Sequence, residues 1–199
     1  MLTRVLMTCA AGLMMMGAAT TVSQARVVLP QAVPMPPASS EMRLGRNTLA
    51  PFAHVRFCQV NRSQCAVRGA AERVELTADR WQQLRRVNAS VNRSIRPRHD
   101  RRAGAIGDHW AISPAYGDCE DYALTKRAHL LRMGWPSYAL LIATADVRGF
   151  GHHAVLVVRT SSGDYVLDNL TGQIKPWRST GYRWDKMQSP TNPRHWLQV

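Results

Sequence analysis

Three short segments of the sequence carry the residue types that nucleophilic catalysis at a carbonyl requires. Cys119 lies in the run GDCEDYA, His152 and His153 begin the run HHAVLVV, and Asp168 lies in the run VLDN. A cysteine, a histidine and an acid can act as nucleophile, general base and orienting group in acyl transfer. Cys119 would attack the carbonyl, a histidine would hold the cysteine as a thiolate and later protonate the leaving amine, and Asp168 would fix the tautomer of that histidine.

The spacing alone leaves open which of the two histidines would act as the base. Both begin a predicted strand, and side chains along a strand point alternately to its two faces. His153 therefore shares a face with Val155, whereas His152 shares the opposite face with Ala154. Both faces continue with apolar residues, so the alternation does not choose between them.

The residues after Cys119 predict the helix that must position the thiol. This helix runs from Cys119 to about Met133, with Ala123, Leu124, Ala128 and Leu131 among its inward residues. Gly134 suits the position after the helix, and Pro136 prevents its continuation. A helix N-terminus favours a thiolate, because unpaired backbone N–H groups and the macrodipole supply positive potential there.

The histidines and Asp168 lie in a predicted antiparallel meander. Runs rich in Val, Leu, Ile and Tyr predict strands over 137–144, 153–160 and 165–170, with a hairpin turn at 161–164. An earlier helix begins at the N-cap Thr77 and has an apolar face of Trp81, Leu84, Val87, Val91 and Ile95. Two helices followed by a meander predict an α+β fold.

The N-terminal segment predicts export. After Arg4, the uncharged and mostly apolar run is ~15 residues long, against the ~20 that a membrane span needs. Ser23 and Ala25 supply the small residues of a cleavage site, so residues 1–25 are predicted to be a secretory signal peptide. We therefore expect a periplasmic or secreted protein with no stable membrane insertion.

The remaining chain is predicted to have two parts. Proline-rich residues 26–50 predict an arm or linker, and residues 51–199 predict a single folded domain.

Once Cys9 is removed with the predicted signal peptide, the remaining cysteines divide into a pair and a single residue. Cys58 and Cys65 have six residues between them, a spacing that predicts a short disulfide loop in an exported protein. Cys119 would then be a free thiol in an oxidising compartment, where an unpaired thiol is a liability unless it has a function. A buried and inert cysteine is the structural alternative.

The motifs GDCEDYA, HAVL and LDN occur in this order, and over residues 108–196 the chain resembles the bacterial transglutaminase-like cysteine proteinases. The resemblance implies a papain-like, transglutaminase-type core, in which the helix carrying the cysteine packs on an antiparallel sheet carrying the histidine and the acid. Carried over by position, the triad is Cys119, His153 and Asp168, because His153 directly precedes Ala-Val-Leu. The resemblance thus makes the choice of histidine that the spacing leaves open.

Three acids, Asp118, Glu120 and Asp121, crowd the cysteine. They could cap the helix and complement its dipole. Three carboxylates beside a thiol also oppose thiolate formation, and a bound cation would offset that effect. The resemblance implies a Ca²⁺ site with these three acids as ligands, which further oxygen atoms would have to complete. No Cys/His spacing supports zinc.

Together these features predict an exported, Ca²⁺-dependent cysteine endopeptidase that cleaves a surface or envelope protein. The resemblance implies an acidic surface adhesin of biofilms as the substrate and an inner-membrane cyclic-di-GMP receptor as a regulatory partner. The same triad could instead serve a transglutaminase, a deamidase or a cell-wall peptide amidase, because all of them form an acyl-enzyme. A binding module that has lost catalysis is a third possibility.

The charge balance is strongly basic. The 199 residues contain 26 Lys+Arg and 13 Asp+Glu, which gives a formal net charge of +13. Arg85, Arg86 and Arg93 lie on the polar face of the predicted first helix. This face could steer an acidic substrate, an anionic lipid or an anionic envelope polymer, or it could simply be solvated. Nucleic-acid binding is not expected, because no aromatic-interleaved basic motif is present.

Overall fold

The structure, a computed structural model, describes residues 34–69, 72–100 and 108–199. The helices are α1 (Phe52–Val60), α2 (Ala78–Ser94) and α3 (Cys119–Arg132). The strands are β1 (Asn47–Thr48), β2 (Arg96–Pro97), β3 (Tyr116–Gly117), β4 (Leu140–Val147), β5 (Gly151–Thr160), β6 (Gly163–Leu167), β7 (Lys175–Pro176), β8 (Arg183–Gln188) and β9 (Trp196–Gln198).

Seven of these strands form one antiparallel sheet in the order β1-β9-β8-β4-β5-β6-β7. The strands β2 and β3 form a separate parallel pair. Helix α3 packs against β4 and β5 at the centre of the sheet, and α2 packs against α3. The predicted α+β class, with the helix of Cys119 on an antiparallel sheet, is therefore confirmed.

Apolar side chains cover both faces of the sheet. The larger cluster joins α2 and α3 to one face and includes Leu84, Val91, Leu124, Leu130, Ile142, Leu156 and Val158. The smaller cluster covers the other face and consists of Met42, Leu141, Ala143, Val155, Val157, Val166 and Met187. Because β4 and β5 are covered on both faces, their side chains are held in position over most of their length.

The predicted helices and strands are present, with shifts at their ends. Thr77 caps α2 by accepting a hydrogen bond from the Arg80 N–H at 3.3 Å. Strand β4 begins at Leu140 rather than Ser137, because Ser137–Ala139 form a short 3-10 turn. Strand β6 spans Gly163–Leu167 instead of 165–170. Asp168 therefore lies in the loop directly after β6.

Several residues of 34–50, within the predicted arm or linker and before the predicted domain start near Pro51, contact the sheet. Met42 is 2% exposed, and its N–H donates to the buried carboxylate of Asp164 at 2.7 Å. The Ser39 N–H donates to the Ser162 carbonyl at 2.7 Å, and β1 pairs with β9. Composition could not show these contacts, because they join distant parts of the chain. The predicted signal peptide 1–25 and residues 26–33 lie outside the described residues.

Cys58 and Cys65 form a disulfide, as their spacing predicts, and Cys119 is a free cysteine. The bridge joins α1 to the following 3-10 turn. His54 of α1 lies against it and accepts a hydrogen bond from the Trp196 indole at 3.2 Å. This contact connects α1 to β9.

Among the described residues, no helix combines the length and the apolar character that crossing a bilayer would require.

Candidate active site

Cys119 is the first residue of α3, and local contacts fix that end of the helix. Asp118 is the N-cap, and the Asp121 carboxylate accepts a hydrogen bond from the Asp118 N–H at 3.3 Å, which completes a capping box. A side chain at Gly117 would collide with the Asp121 carboxylate, so this position requires glycine. The cysteine therefore lies where first-turn N–H groups have no partner within the helix.

The Cys119 thiol is partly buried between α3 and β5. Its Sγ donates a hydrogen bond to Glu120 Oε2 at 3.2 Å, and the backbone of Ala154 is close enough to the sulfur to lower the thiol pKa slightly. Burial, and then the negative charge of Glu120, raises the pKa of the Cys119 thiol well above its ordinary value. The sulfur thus lies beside the residue that follows His153, in surroundings that favour the neutral thiol.

The two histidines of the HHAVL motif have different surroundings. His153 is 3% exposed, and its Nε2 lies 2.8 Å from Asp168 Oδ1. His152 has a fully solvated side chain that pairs with Asp146 at 2.8 Å. His153 Nδ1 is buried and has no hydrogen-bond partner among the described residues. His153 is therefore the histidine that the structure pairs with Asp168.

Asp168 is held by several groups at once. Its Oδ1 accepts hydrogen bonds from His153 and from the Leu170 N–H, and its Oδ2 accepts one from the Tyr182 hydroxyl. Burial alone would raise the pKa of Asp168, but these hydrogen bonds keep it below its ordinary value. Asp168 is therefore a stable anion that can orient His153.

One cleft of about 500 Å³ contains Cys119, His153 and Asn169 on its walls. The imidazole of His153 lies between two aromatic rings, with the Phe150 centroid at 5.3 Å and the Tyr182 centroid at 5.8 Å. Both contacts are edge-to-face, a geometry that limits rotation of the imidazole. The structure thus brings Cys119 and His153 to one cleft. Asp168 does not line this cleft, but it is hydrogen-bonded to His153.

The predicted acid cluster is present and extends beyond the three residues. Asp118, Glu120 and Asp121 each offer an oxygen within 4.8 Å of the others, and Asp100 and Asp108 form a second such group with Glu120. Glu120 Oε1 and Asp118 Oδ1 are buried without a hydrogen-bond partner among the described residues. Buried carboxylate oxygens without donors are suitable ligands for a hard cation such as Ca²⁺.

Asp121 differs from the other acids because both of its oxygens have donors. Oδ1 accepts from the Ala111 N–H at 2.7 Å, and Oδ2 accepts from the Asp118 N–H. Burial raises the pKa of Asp121 to about 7. Burial, followed by the closeness of the Asp118 carboxyl group, also raises the pKa of Glu120. In this structure Asp121 orders the loop and the helix end, whereas Asp118 and Glu120 have free oxygens.

The sequence analysis did not identify several residues of this site. Asp100 and Asp108 belong to a glycine-containing stretch of sequence with no periodicity, and only their negative charge among basic residues sets them apart. Tyr182 lies 14 residues after Asp168, and Asn92 of α2 donates to the Asp168 carbonyl at 2.9 Å. Nothing local to the motifs indicates either contact.

A cysteine at the start of a helix, beside a histidine–carboxylate pair held by an antiparallel sheet, is the arrangement of a papain-like thiol hydrolase. A family model described as bacterial transglutaminase-like cysteine proteinase BTLCP matches residues 44–199. The chain belongs to this family of cysteine proteases. The predicted family and enzyme class are therefore confirmed.

Solved structures similar to the chain include three of LapG from Legionella pneumophila. The calcium-bound form is 25% identical, with a TM-score of 0.49 over 59% of this chain and 68% of that chain. A second LapG structure is 27% identical, with a TM-score of 0.45 over 54% of this chain and 64% of that one. The EGTA-treated form is 26% identical, with a TM-score of 0.44 over 54% and 62% of the two chains. No curated protein matches the chain.

Proposed function

We propose that this chain is an exported cysteine endopeptidase that hydrolyses a peptide bond of a surface or envelope protein with Cys119, His153 and Asp168. Membership of the family supplies the class of enzyme. The observation that carries the residue assignment is the buried His153–Asp168 pair, because His153 lines the same cleft as Cys119 and its Nδ1 has no hydrogen-bond partner among the described residues.

The mechanism follows from these atoms. His153 Nδ1 accepts the thiol proton while Nε2–H stays bonded to Asp168, and the Cys119 sulfur then attacks the carbonyl carbon of the scissile bond. The Cys119 backbone N–H, at the start of α3, is the first candidate donor to the oxyanion. His153 returns the proton to the leaving amine, and water hydrolyses the thioester with His153 again as the base.

The acid cluster would serve as a Ca²⁺ site. Asp118 and Glu120 would hold the ion with their free oxygens, and Asp100 and Asp108 would add further ligands. Asp121 would be a weaker ligand, because both of its oxygens already accept hydrogen bonds from backbone N–H groups. Its role would be to hold the start of α3 in place. A bound Ca²⁺ supplies positive charge that offsets the carboxylates around Cys119, which favours loss of the thiol proton.

Export and the substrate class rest on the sequence. A signal peptide, a disulfide and a single free cysteine are typical of an oxidising compartment. The net charge of +13 favours an acidic protein substrate, such as a surface adhesin. A cyclic-di-GMP receptor at the inner membrane would be the regulatory partner, in accordance with the family resemblance.

The rate at which iodoacetamide alkylates Cys119, followed by mass mapping, tests the assignment. We expect His153→Ala to slow alkylation about a hundredfold and Asp168→Asn to slow it by a smaller factor. The matched control is His152→Ala, which removes the neighbouring but solvated histidine and leaves the rate unchanged. Equal rates in the His153 and His152 variants would contradict the proposed base.

A further inference from the structure

A second concave surface lies outside the active-site cleft, between α2 and the segment Gly172–Ile174. It encloses about 830 Å³. Its helical wall carries Arg85, Arg86 and Arg93, and Trp81 and Ile174 add apolar surface. We refer to this surface as the arginine groove.

The arginine groove is positively charged and has no internal compensation. Arg85, Arg86 and Arg93 are exposed and form no ion pair with any of the described residues. No Asp or Glu lines the groove, whose other polar groups are amides and a hydroxyl, from Gln82, Gln173 and Ser90. Three guanidinium groups with free donors can bind carboxylates in a bidentate manner.

The arginine groove shares a wall with the loop that follows the triad acid. Asn92 of α2 donates to the carbonyls of Asp168 and Thr171, at 2.9 and 3.4 Å, and Asn88 donates to the carbonyl of Gly172 at 3.2 Å. These hydrogen bonds fix α2 against residues 168–172. The loop after Asp168 thus borders the active-site cleft at Asn169 and Leu170 and the groove at Gly172, so a single extended chain could contact both.

We propose that the arginine groove binds an acidic segment of the polypeptide substrate, away from the scissile bond. The unpaired arginines of the groove favour an anionic occupant over a cationic or neutral one, and the concave form of the groove fits a linear chain better than a planar bilayer. The amide groups and the apolar surface of Trp81 and Ile174 suit a peptide, which has both backbone groups and side chains to bury. The identity of the occupant as substrate rests on the proposed peptidase function.

The binding test uses the full mature chain with Cys119→Ser, so that no probe is cleaved. The probe is a fluorescein-labelled peptide of alternating Glu and Gly, and its anisotropy reports the Kd. We expect R85E/R86E/R93E to raise the Kd about tenfold or more, because three attractive charges become repulsive. The matched control is R43E/R46E/R62E, which changes the net charge equally at exposed arginines elsewhere. Its Kd should stay within about twofold of the parent value.

Gly172 allows a second test that leaves the arginines intact. A Cβ at this position meets no atom within 4 Å, so a longer side chain can be added without a clash. Gly172→Glu should weaken peptide binding severalfold, whereas the equally large Gly172→Gln should not. Equal effects of Glu and Gln would show that the charge of the groove is irrelevant and would overturn the proposal.

Two further outcomes separate this proposal from its rivals. If R85E/R86E/R93E and R43E/R46E/R62E lose peptide binding equally, only the net charge of the protein matters and the proposal is overturned. Binding to phosphatidylglycerol vesicles that R85E/R86E/R93E abolishes, with peptide binding unchanged, would assign the groove to a membrane surface instead. Alkylation of Cys119, measured separately in the chain that keeps its cysteine, reports on the proposed peptidase site and is independent of the peptide Kd.

Discussion

Asp168 is the residue on which most contacts of the active site converge. His153, Tyr182 and the Leu170 N–H bind its carboxylate, and Asn92 binds its backbone carbonyl. A carboxylate with donors on both oxygens cannot rotate freely, so its hydrogen bond to His153 has a fixed direction. The orientation of the base is thus determined by residues from β5, the loop after β6, α2 and the segment before β8.

Tyr182→Phe tests whether the hydroxyl on Asp168 Oδ2 positions the base. We expect the alkylation rate of Cys119 at neutral pH to fall about tenfold, because a hydrogen bond to a charged group is lost. The loss also raises the pKa of Asp168, so the acidic limb of the pH–rate profile should move to higher pH. Tyr138→Phe, far from the carboxylate, is the control. An unchanged acidic limb would show that Tyr182 only fills space.

Lys126 of α3 is a buried cation with no hydrogen-bond partner for its Nζ among the described residues. The nearest aromatic ring is that of Tyr122, at 5.9 Å. Burial lowers the pKa of Lys126 to about 7, while the charge of Asp168 acts in the opposite direction. Because the unfolded chain keeps the lysine protonated to higher pH, the folded chain binds fewer protons above pH 7.

Lys126→Met should therefore change the pH dependence of stability. The free energy of unfolding of the parent protein should rise between about pH 7 and pH 10, whereas that of the variant should lack this rise. We expect the variant to be more stable at neutral pH by a few kcal/mol, and the difference to shrink as the pH increases. Urea unfolding at several pH values measures it, with Lys175→Met as the control. If Lys126→Met is less stable than the parent protein by the same amount at every pH, the ammonium group of Lys126 stabilises the fold and the prediction is wrong.

At the level of elements, the sequence predicted those parts whose signals are local. Helices α2 and α3 have caps and an apolar period, and β4, β5 and β6 have apolar runs separated by glycine or a turn. Strands β1 and β9 are only two and three residues long and pair across almost the whole chain, so no local pattern indicates them. The triad residues could be predicted from the sequence because each lies in a short contiguous motif. Asp100, Asp108 and Tyr182 lie outside these motifs and come near the site only when the chain folds.

The contact between residues 34–50 and the β5–β6 hairpin depends on Gly163. Its φ is +103°, and a Cβ there would overlap the Ser39 carbonyl. We expect Gly163→Ala to lower the free energy of unfolding by about 1–3 kcal/mol and to speed tryptic cleavage at Arg43 and Arg46. Gly134→Ala is the control, because Gly134 also has a positive φ, of +85°, but nothing lies near its Cβ. Equal tryptic cleavage in both variants would show that the Ser39 contact does not hold this segment.

In the whole molecule, the charges are unevenly distributed. The chain has 13 acidic residues, and five of them, Asp100, Asp108, Asp118, Glu120 and Asp121, share the cluster beside Cys119. The rest of the protein is basic, and three of its arginines line the arginine groove. Repulsion among the carboxylates of the cluster destabilises the fold. The positive charge of the arginine groove instead attracts an anionic ligand.

The cluster also joins two separate parts of the chain, since Asp100 and Asp108 precede β3 and Asp118 and Glu120 belong to the start of α3. A cation bound by both parts stabilises the folded chain and not the unfolded one, so Ca²⁺ should raise the Tm by roughly 5–10 °C at saturating concentration. Mg²⁺ should have a smaller effect, because it demands a tighter octahedral shell. Differential scanning fluorimetry with EGTA as the reference measures the shift.

Glu120→Gln should abolish most of this shift, because Glu120 belongs to both acid groups and has a buried oxygen without a donor. The variant should keep at least the parent stability in EGTA, since burial and Asp118 raise the pKa of Glu120 and so oppose its ionisation, and a neutral amide avoids that cost. Asp79→Asn, in the solvated first turn of α2, is the matched control and should keep the full response to Ca²⁺. A parent protein whose Tm is the same in Ca²⁺ and EGTA would mean that these acids serve as caps, and the thiol would then have to ionise against their charge without help from a metal.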